Sequence, residues 1–204
     1  MTVLEIDTPH GPARAHVDPV AGAWAALVLG HGAGGGVTAP DLGAAAGAAR
    51  SAGLAVALVE QPYRVAGRRS PAPARRLDTA WSAVIEHLRA GPLHGLPLVA
   101  GGRSSGARVA CRSAEEAGAI GVLCLAFPLR PPPRAGAAPA QSRQPELDGV
   151  SVPVLVVQGA RDPFGMPLPG PGRTVVEVPG DHSLKGDLDA VHDAVRDWLA
   201  GLAA

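Results

Sequence analysis

A serine near the middle of the chain is flanked by glycines in a pattern that enzymes use to present a nucleophile. Residues 102–106 read G-R-S-S-G; an apolar run precedes them and apolar residues at helical spacing follow. This predicts a strand, a tight turn and a helix, with the Ser104 hydroxyl held above the sheet. Gly102 and Gly106 suit the turn because a side chain at either place would collide where the helix folds back on the strand. Ser105 is a competing nucleophile, but its own frame lacks both glycines, so we assign the attack to Ser104.

A surface turn can carry the same five letters, so the assignment depends on partners elsewhere in the chain. His182 follows the last predicted strand, and Asp162 follows the strand before it. The carboxyl ends of parallel strands meet at one edge of a sheet, so we expect His182 to act as general base and Asp162 to orient its imidazole. Asp181 is an alternative acid, although its position next to His182 favours a side chain that points away. The order Ser, Asp, His along the chain is that of α/β-hydrolases.

A glycine-rich loop at 30–36 follows the first long apolar strand and has two interpretations. The first is an oxyanion hole, in which the backbone N–H of Ala33 or Gly34 acts together with that of Ser105. The second is a dinucleotide fingerprint, G-x-G-x-x-G, with Glu60 at the end of the next strand as the ribose-binding acid. The second needs the glycines to open a helix, whereas residues 38–40, T-A-P, delay the helix by several positions. We therefore favour the oxyanion hole.

Three further side chains are candidate substrate contacts. Tyr63 and Arg64 follow the strand at 54–60, and Arg103 precedes the nucleophile. An arginine at the edge of the site could hold a substrate carboxylate by a two-pronged contact. The alternative is that the arginine-rich segment at 64–76 is only a solvated loop.

A proline-rich segment at 128–149 follows the strand at 121–127. It is too short and too rich in proline for a helical cap domain, which predicts an extended excursion at the entrance of the site. A linker without contact to substrate is the alternative.

The distribution of apolar runs predicts the fold. Two β-prone segments that form an antiparallel hairpin are followed by alternating strands and helices, which indicates an α/β domain with a mostly parallel, doubly wound sheet. We expect a single domain over residues 1–204. The predicted strands lie near 3–7, 13–18, 24–30, 54–60, 96–100, 121–127, 152–158 and 174–178, and the helices span 40–52, with Thr38 as cap, 75–90, the residues after Ser104, and 188–202.

Composition restricts the partners. Eighteen basic and eighteen acidic residues cancel, so no overall field favours nucleic acid or an anionic membrane. The first residues lack the pattern of a secretory signal, so we expect none, and no apolar run reaches membrane-spanning length. The histidines and cysteines lack metal-binding spacing, which predicts no metal and no cofactor, and Cys111 and Cys124 lie in apolar segments as buried thiols do. We expect a cytoplasmic protein; the sequence does not indicate an oligomeric state.

The chain resembles the small, cap-less α/β-hydrolases near dienelactone hydrolase, in particular the testis-expressed hydrolase-like subgroup. The resemblance is carried by H-G-A-G-G-G at 31–36, G-G-R-S-S-G-A-R-V-A at 101–110, Q-G-A-R-D-P-F-G at 158–165 and G-D-H-S-L-K at 180–185. It implies Ser104 as nucleophile, His182 as base, Asp162 as orienting acid, and the Ala33 region with Ser105 as oxyanion hole. Dienelactone hydrolase itself has cysteine where this chain has Ser104, so its substrate is not carried over. Relatives also have a larger residue at position 105 and glycine at 107.

These observations lead to three hypotheses. The first is a serine hydrolase that cleaves a small carboxylic ester or thioester through an acyl-enzyme. The second is an interaction module on a hydrolase scaffold, which Ser104 and His182 side chains beyond hydrogen-bond reach would favour. The third is a dinucleotide-binding oxidoreductase, which a helix that starts only at Pro40 or later argues against.

Overall fold

The computed structural model describes residues 1–131 and 140–203. Part of the predicted 128–149 segment therefore lies outside the described residues. The strands of the described part are β1 (Thr2–Ile6), β2 (Ala13–Asp18), β3 (Ala25–Gly30), β4 (Leu54–Glu60), β5 (Leu98–Arg103), β6 (Ala119–Leu125), β7 (Val154–Gly159) and β8 (Arg173–Val178). Its helices are α1 (Pro40–Ser51), α2 (Pro62–Val65), α3 (Ala74–Ala90), α4 (Ser105–Ser113), α5 (Gln144–Asp148) and α6 (Leu188–Ala203).

The strands form one sheet in the order β1-β2-β4-β3-β5-β6-β7-β8. β2 is antiparallel to both β1 and β4, and the remaining neighbours are parallel. This confirms the predicted mostly parallel sheet with an antiparallel N-terminal hairpin. The carboxyl ends of β3, β5, β7 and β8 therefore meet at one edge, where the loops that carry the candidate site residues begin.

Helices cover both faces of the sheet. Along β3, Ala26 and Val28 face the layer that contains α3 and α4, while Leu27 and Leu29 face the layer that contains α1 and α6. This alternation follows from the two-residue period of a strand. Because both faces are covered, every residue of β3 is buried, which explains why the strand is apolar throughout.

Four local predictions need correction. Thr38 does not cap α1: the helix begins at Pro40 after Ala39, without a side-chain cap, since proline at the first helical position is already set for helical φ. β6 ends at Leu125, not at residue 127, because Ala126 adopts a left-handed φ of 48°. The described part of 128–149 contains the helix α5, which has proline at its second position and buries Leu147. The short helix α2, which starts with proline, was not predicted.

Candidate active site

The G-R-S-S-G segment forms the predicted sharp turn between β5 and α4. Ser104 has φ 52° and ψ −107°, a strained conformation for a residue with a side chain. Its N–H donates to the carbonyl of Leu125 at 2.8 Å, which fixes the turn to the neighbouring strand. A Cβ added at Gly102 or Gly106 would collide with the carbonyl oxygen of Gly30. Both glycines are therefore required by the close approach of helix, strand and glycine loop.

The structure brings the three predicted residues Ser104, His182 and Asp162 into one hydrogen-bonded chain. Nε2 of His182 lies 2.9 Å from Oγ of Ser104, and Nδ1 of His182 lies 2.8 Å from Oδ2 of Asp162. A carboxylate can only accept from Nδ1–H, so Nε2 is left to accept the serine proton. The ring of Phe164 packs against the imidazole with centroids 4.4 Å apart. This geometry is suited to proton transfer from Oγ of Ser104 to Nε2 of His182.

Both carboxylate oxygens of Asp162 accept hydrogen bonds from the protein. Its side chain is 1% exposed; Oδ1 accepts from the N–H of Phe164 at 2.9 Å, and Oδ2 also accepts from Nε2 of Gln158 at 2.8 Å. Asp181, the alternative acid, instead accepts from the N–H and the hydroxyl of Ser183. The geometry therefore supports Asp162 as the partner of the imidazole.

The glycine loop at 30–36 lies against Ser104 and is held by contacts with His31. A Cβ built on Gly32 would lie 3.6 Å from Cβ of Ser104. Nδ1 of His31 contacts the carbonyl of Gly32 in this loop at 2.8 Å. Nε2 of His31 accepts from the N–H of Gln61 at 3.1 Å. Burial lowers the pKa of His31, so the ring is neutral with its proton on Nδ1. These contacts hold the glycine loop beside Ser104, and an oxyanion hole at Ala33 or Gly34 stays a prediction.

Comparison with known proteins identifies the family. The family model described as alpha/beta hydrolase domain matches residues 23–188. The chain belongs to the alpha/beta hydrolase family. Nothing among the curated proteins matches it.

Solved alpha/beta hydrolase structures share the fold at low sequence identity. Est1E from Butyrivibrio proteoclasticus has a TM-score of 0.78 and 15% identity, covering 100% of this chain and 99% of its own. XC6422 from Xanthomonas campestris, described as an α/β serine hydrolase without lid, has a TM-score of 0.71 and 23% identity, covering 97% and 94%. A dienelactone hydrolase from Anabaena variabilis has a TM-score of 0.74 and 18% identity, covering 98% and 96%.

Of the candidate substrate residues of this alpha/beta hydrolase, Tyr63 and Arg103 are engaged by the protein itself. Burial raises the pKa of Tyr63 to about 12, so its hydroxyl keeps its proton, which it donates to the carbonyl of Ala33 at 2.8 Å. Arg103 contacts Asp41 and the carbonyl of His182. Arg64 lies on α2 and donates to the carbonyl of Arg68. A substrate role for the three stays a prediction, and these contacts do not support it for Tyr63 or Arg103.

Sequence reasoning missed three side chains that support the site: Gln158, Phe164 and Asp41. Gln158 is fully buried at the end of the apolar strand β7, and a lone polar residue at the end of such a run was the available signal. Phe164 falls in a predicted turn, where nothing in the sequence indicates that its ring covers His182. Asp41 looked like an ordinary acid in the first turn of a helix.

Three further observations describe the surroundings of the site. Among them, no group of three or more His, Cys, Asp or Glu residues is arranged to hold a metal ion. None of the described helices has the length and apolar character needed to span a membrane. An apolar cleft beside Phe164 is lined by Leu129, Pro163 and Gly165, with Arg130 at its rim.

Proposed function

We propose that this alpha/beta hydrolase is a serine hydrolase that cleaves a small carboxylic ester or thioester. The observation that carries the proposal is the hydrogen-bonded chain Ser104–His182–Asp162 on a strained elbow, with distances of 2.9 and 2.8 Å. Hydrogen bonding of this kind is typical of a nucleophile, its base and the group that orients the base, which supports these roles for the three residues. It also argues against the interaction module, for which Ser104 and His182 would lie out of reach of each other.

The proposed reaction has two halves. Nε2 of His182 takes the proton of Ser104 while Oγ attacks the acyl carbon, and the carbonyl oxygen becomes an oxyanion. The imidazolium gives this proton to the leaving alcohol or thiol, the bond to the leaving group breaks, and an acyl-enzyme remains. Water then loses a proton to Nε2 and attacks the acyl carbon. Collapse of the second oxyanion returns the proton to Ser104 and releases the carboxylic acid.

The surroundings of the three residues provide charge stabilisation for these steps. The buried carboxylate of Asp162 stabilises the imidazolium that forms in each half. Backbone N–H groups of Ala33 or Gly34 and of Ser105 are the proposed donors to the oxyanion, and removal of one such donor costs about 10²- to 10³-fold in rate in well-studied cases. The loop that carries the first two is held by Tyr63 and His31.

The proposed substrate class is small acyl compounds, without a cofactor. Only 3% of the residues are aromatic, which does not favour a large lipid-binding cavity. The likeness to a lidless serine hydrolase and to dienelactone hydrolase supports a small-molecule substrate. The α1 helix begins at Pro40, so the glycines of 30–36 do not open it as a dinucleotide site requires. A reducing, cytoplasmic location is also proposed, supported by the unlinked thiols of Cys111 and Cys124.

Active-site labelling tests the proposal. We expect a fluorophosphonate probe to label the purified protein rapidly, and the protein to turn over p-nitrophenyl acetate or butyrate. Ser104→Ala and His182→Ala should abolish both. Matched controls are Ser82→Ala and His192→Ala on α3 and α6, which should label like the wild type. Absence of labelling in folded wild-type protein would contradict the hydrolase and favour the interaction module.

A further inference from the structure

The guanidinium of Arg103 lies where three segments of the site meet. Its Nε is 2.8 Å from Oδ2 of Asp41, and its Nη2–H donates to the carbonyl of His182 at 2.8 Å. A Cβ built on Gly32 would lie only 2.7 Å from Nη1. One side chain, directly before the nucleophile, thus contacts the loop of the base and the glycine loop while it is paired with a helix. Among the described residues no other side chain joins these three segments.

Asp41 gives this arrangement its rigidity. Its side chain is 1% exposed, and that of Arg103 is 18% exposed. Burial raises the pKa of Asp41, and the positive charge of Arg103 opposes that rise. A buried carboxylate without its cation is strongly unfavourable, so the two groups stay together. Asp41 also lies in the first turn of α1, where the helix N-terminus favours negative charge. The guanidinium is therefore fixed at a defined position.

His182 needs an anchor of this kind. It lies on the connection between β8 and α6, outside the hydrogen-bonded ladder of the sheet. Two residues further on, Leu184 adopts a left-handed φ of 52°, which shows that this connection is an irregular loop. The imidazole must nevertheless stay within 2.9 Å of Ser104 Oγ. A fixed donor on the backbone carbonyl of His182 limits the movement of the ring.

We propose that Arg103, held by Asp41, is a positioning residue that keeps His182 aligned with Ser104 and supports the glycine loop. This inference rests on the proposed hydrolase function and replaces the predicted substrate contact of Arg103. It gives a function to the variable position before the nucleophile in the G-x-S-x-G segment, because the side chain at this position holds the backbone carbonyl of His182. Arg103 touches no reacting atom, so its loss should lower the rate of reaction and leave substrate binding nearly unchanged.

A double-mutant cycle separates positioning from stability. Arg103→Met leaves Asp41 unpaired in the interior, and Asp41→Asn leaves Arg103 without its anion, so each single variant should have a lower Tm. The double variant Asp41→Asn/Arg103→Met removes both charges and should recover most of that Tm. It should still react with the fluorophosphonate about 10- to 100-fold more slowly than wild type, as expected for a small misplacement of a catalytic group. In ester hydrolysis kcat should fall while KM stays within about twofold.

A control variant and three outcomes test the role of Arg103. Arg112 on α4 is the control: it makes a two-pronged pair with Asp78 on α3 and also contacts Glu146, away from the three site segments. Arg112→Met should lower Tm without slowing the labelling reaction. Wild-type labelling speed in a double variant that has recovered its Tm would overturn the inference and leave the hydrolase proposal intact. A raised KM with unchanged kcat would overturn it as well, since that result identifies a substrate contact. Absence of labelling in the wild type would instead reject the proposed function on which the inference rests.

Discussion

Replacement of Gln158 by leucine tests the buried scaffold beneath the candidate acid. The amide nitrogen Nε2 of Gln158 lies 2.8 Å from Oδ2 of Asp162, 2.9 Å from the carbonyl of Gly165 and 3.1 Å from the carbonyl of Phe127. Gln158 is fully buried, so water cannot replace these contacts in the native structure. Leucine has a similar size and fits a buried strand. The substitution removes the donor together with the amide oxygen Oε1, which has no hydrogen-bond partner among the described residues.

The magnitude follows from the number of hydrogens. An amide nitrogen carries two hydrogens, so at most two of the three acceptors can receive a full hydrogen bond at once. A hydrogen bond to a charged group contributes about 1.5–3 kcal/mol, and a buried carbonyl that loses its donor costs about 1–3 kcal/mol. We therefore expect Gln158→Leu to lower the free energy of unfolding by about 2.5–6 kcal/mol. Because Asp162 keeps the N–H of Phe164 and Nδ1–H of His182, labelling of Ser104 should slow about tenfold and not stop.

Urea unfolding and fluorophosphonate labelling measure the two effects on the same samples. The control is Gln144→Leu, which removes an amide from a partly exposed position on α5, where it donates to Asp148 and accepts from the exposed N–H of Leu168. This variant should change the free energy of unfolding by less than about 0.5 kcal/mol. An unchanged urea midpoint and slope for Gln158→Leu would refute the reasoning, because it would mean that the three contacts do not hold the acid loop.

Three further predictions concern the glycine loop and the elbow. Tyr63→Phe removes the donor to the carbonyl of Ala33, so labelling should slow several-fold and the free energy of unfolding should fall by about 1 kcal/mol; wild-type values for both would contradict the role given to this hydroxyl. Burial lowers the pKa of His31 from its ordinary 6.5, so the unfolded protein binds a proton at His31 more readily than the folded protein does. The contribution of His31 to stability is therefore full above pH 6.5 and is lost as the pH falls below that value. The difference in unfolding free energy between wild type and His31→Gln should therefore shrink from pH 7.5 to pH 5, and a constant difference would refute this. Gly106→Ala places a methyl group against two backbone carbonyls and should prevent folding or lower Tm strongly. The control Gly43→Ala, in an open position on α1, should raise stability by up to about 1 kcal/mol. Equal Tm values for the two variants would show that the elbow is not tightly packed.

The parts of the fold that sequence could predict are those set by local patterns. Runs such as 24–30 and 152–158 are apolar because both faces of the strand are buried, and that signal is independent of the neighbours in the sheet. The order of strands, helices and loops then assigned Ser104, Asp162 and His182 to one edge of the sheet. The two short helices were missed because four or five residues carry no helical period. Each has a proline at its first or second position, and both are stabilised by tertiary packing.

The supporting contacts could not be predicted because they join distant positions through single atoms. Arg103 and the carbonyl of His182 are separated by 79 residues, and a backbone acceptor has no sequence signature at all. Its charge suggested a substrate carboxylate, whereas the carboxylate that it meets is Asp41 of the chain itself. Tyr63 is a similar case, since the acceptor of its hydroxyl is the backbone of Ala33.

Close backbone contacts divide the site into two halves. In one half, the elbow and the glycine loop approach so closely that Gly106 tolerates no Cβ against Gly30. In the other half, the acid loop and the base loop are packed in the same way, since a Cβ on Gly159 would collide with the carbonyl of Asp181. The N–H of Arg161 also donates to the carbonyl of Gly180 at 2.9 Å, which joins these two loops. Each half is therefore rigid by construction.

The two halves meet at the reacting atoms. The Ser104–His182 hydrogen bond joins them, but it must be broken and remade in every turnover of the proposed reaction, so it cannot by itself keep them aligned. Arg103 belongs to the elbow half and donates to the backbone of the base loop, a contact that the proposed chemistry leaves unchanged. The sheet already joins the two halves through β5, β6, β7 and β8. Arg103 adds a side-chain contact at the edge where the reacting atoms lie, and the ion pair with Asp41 holds it in place.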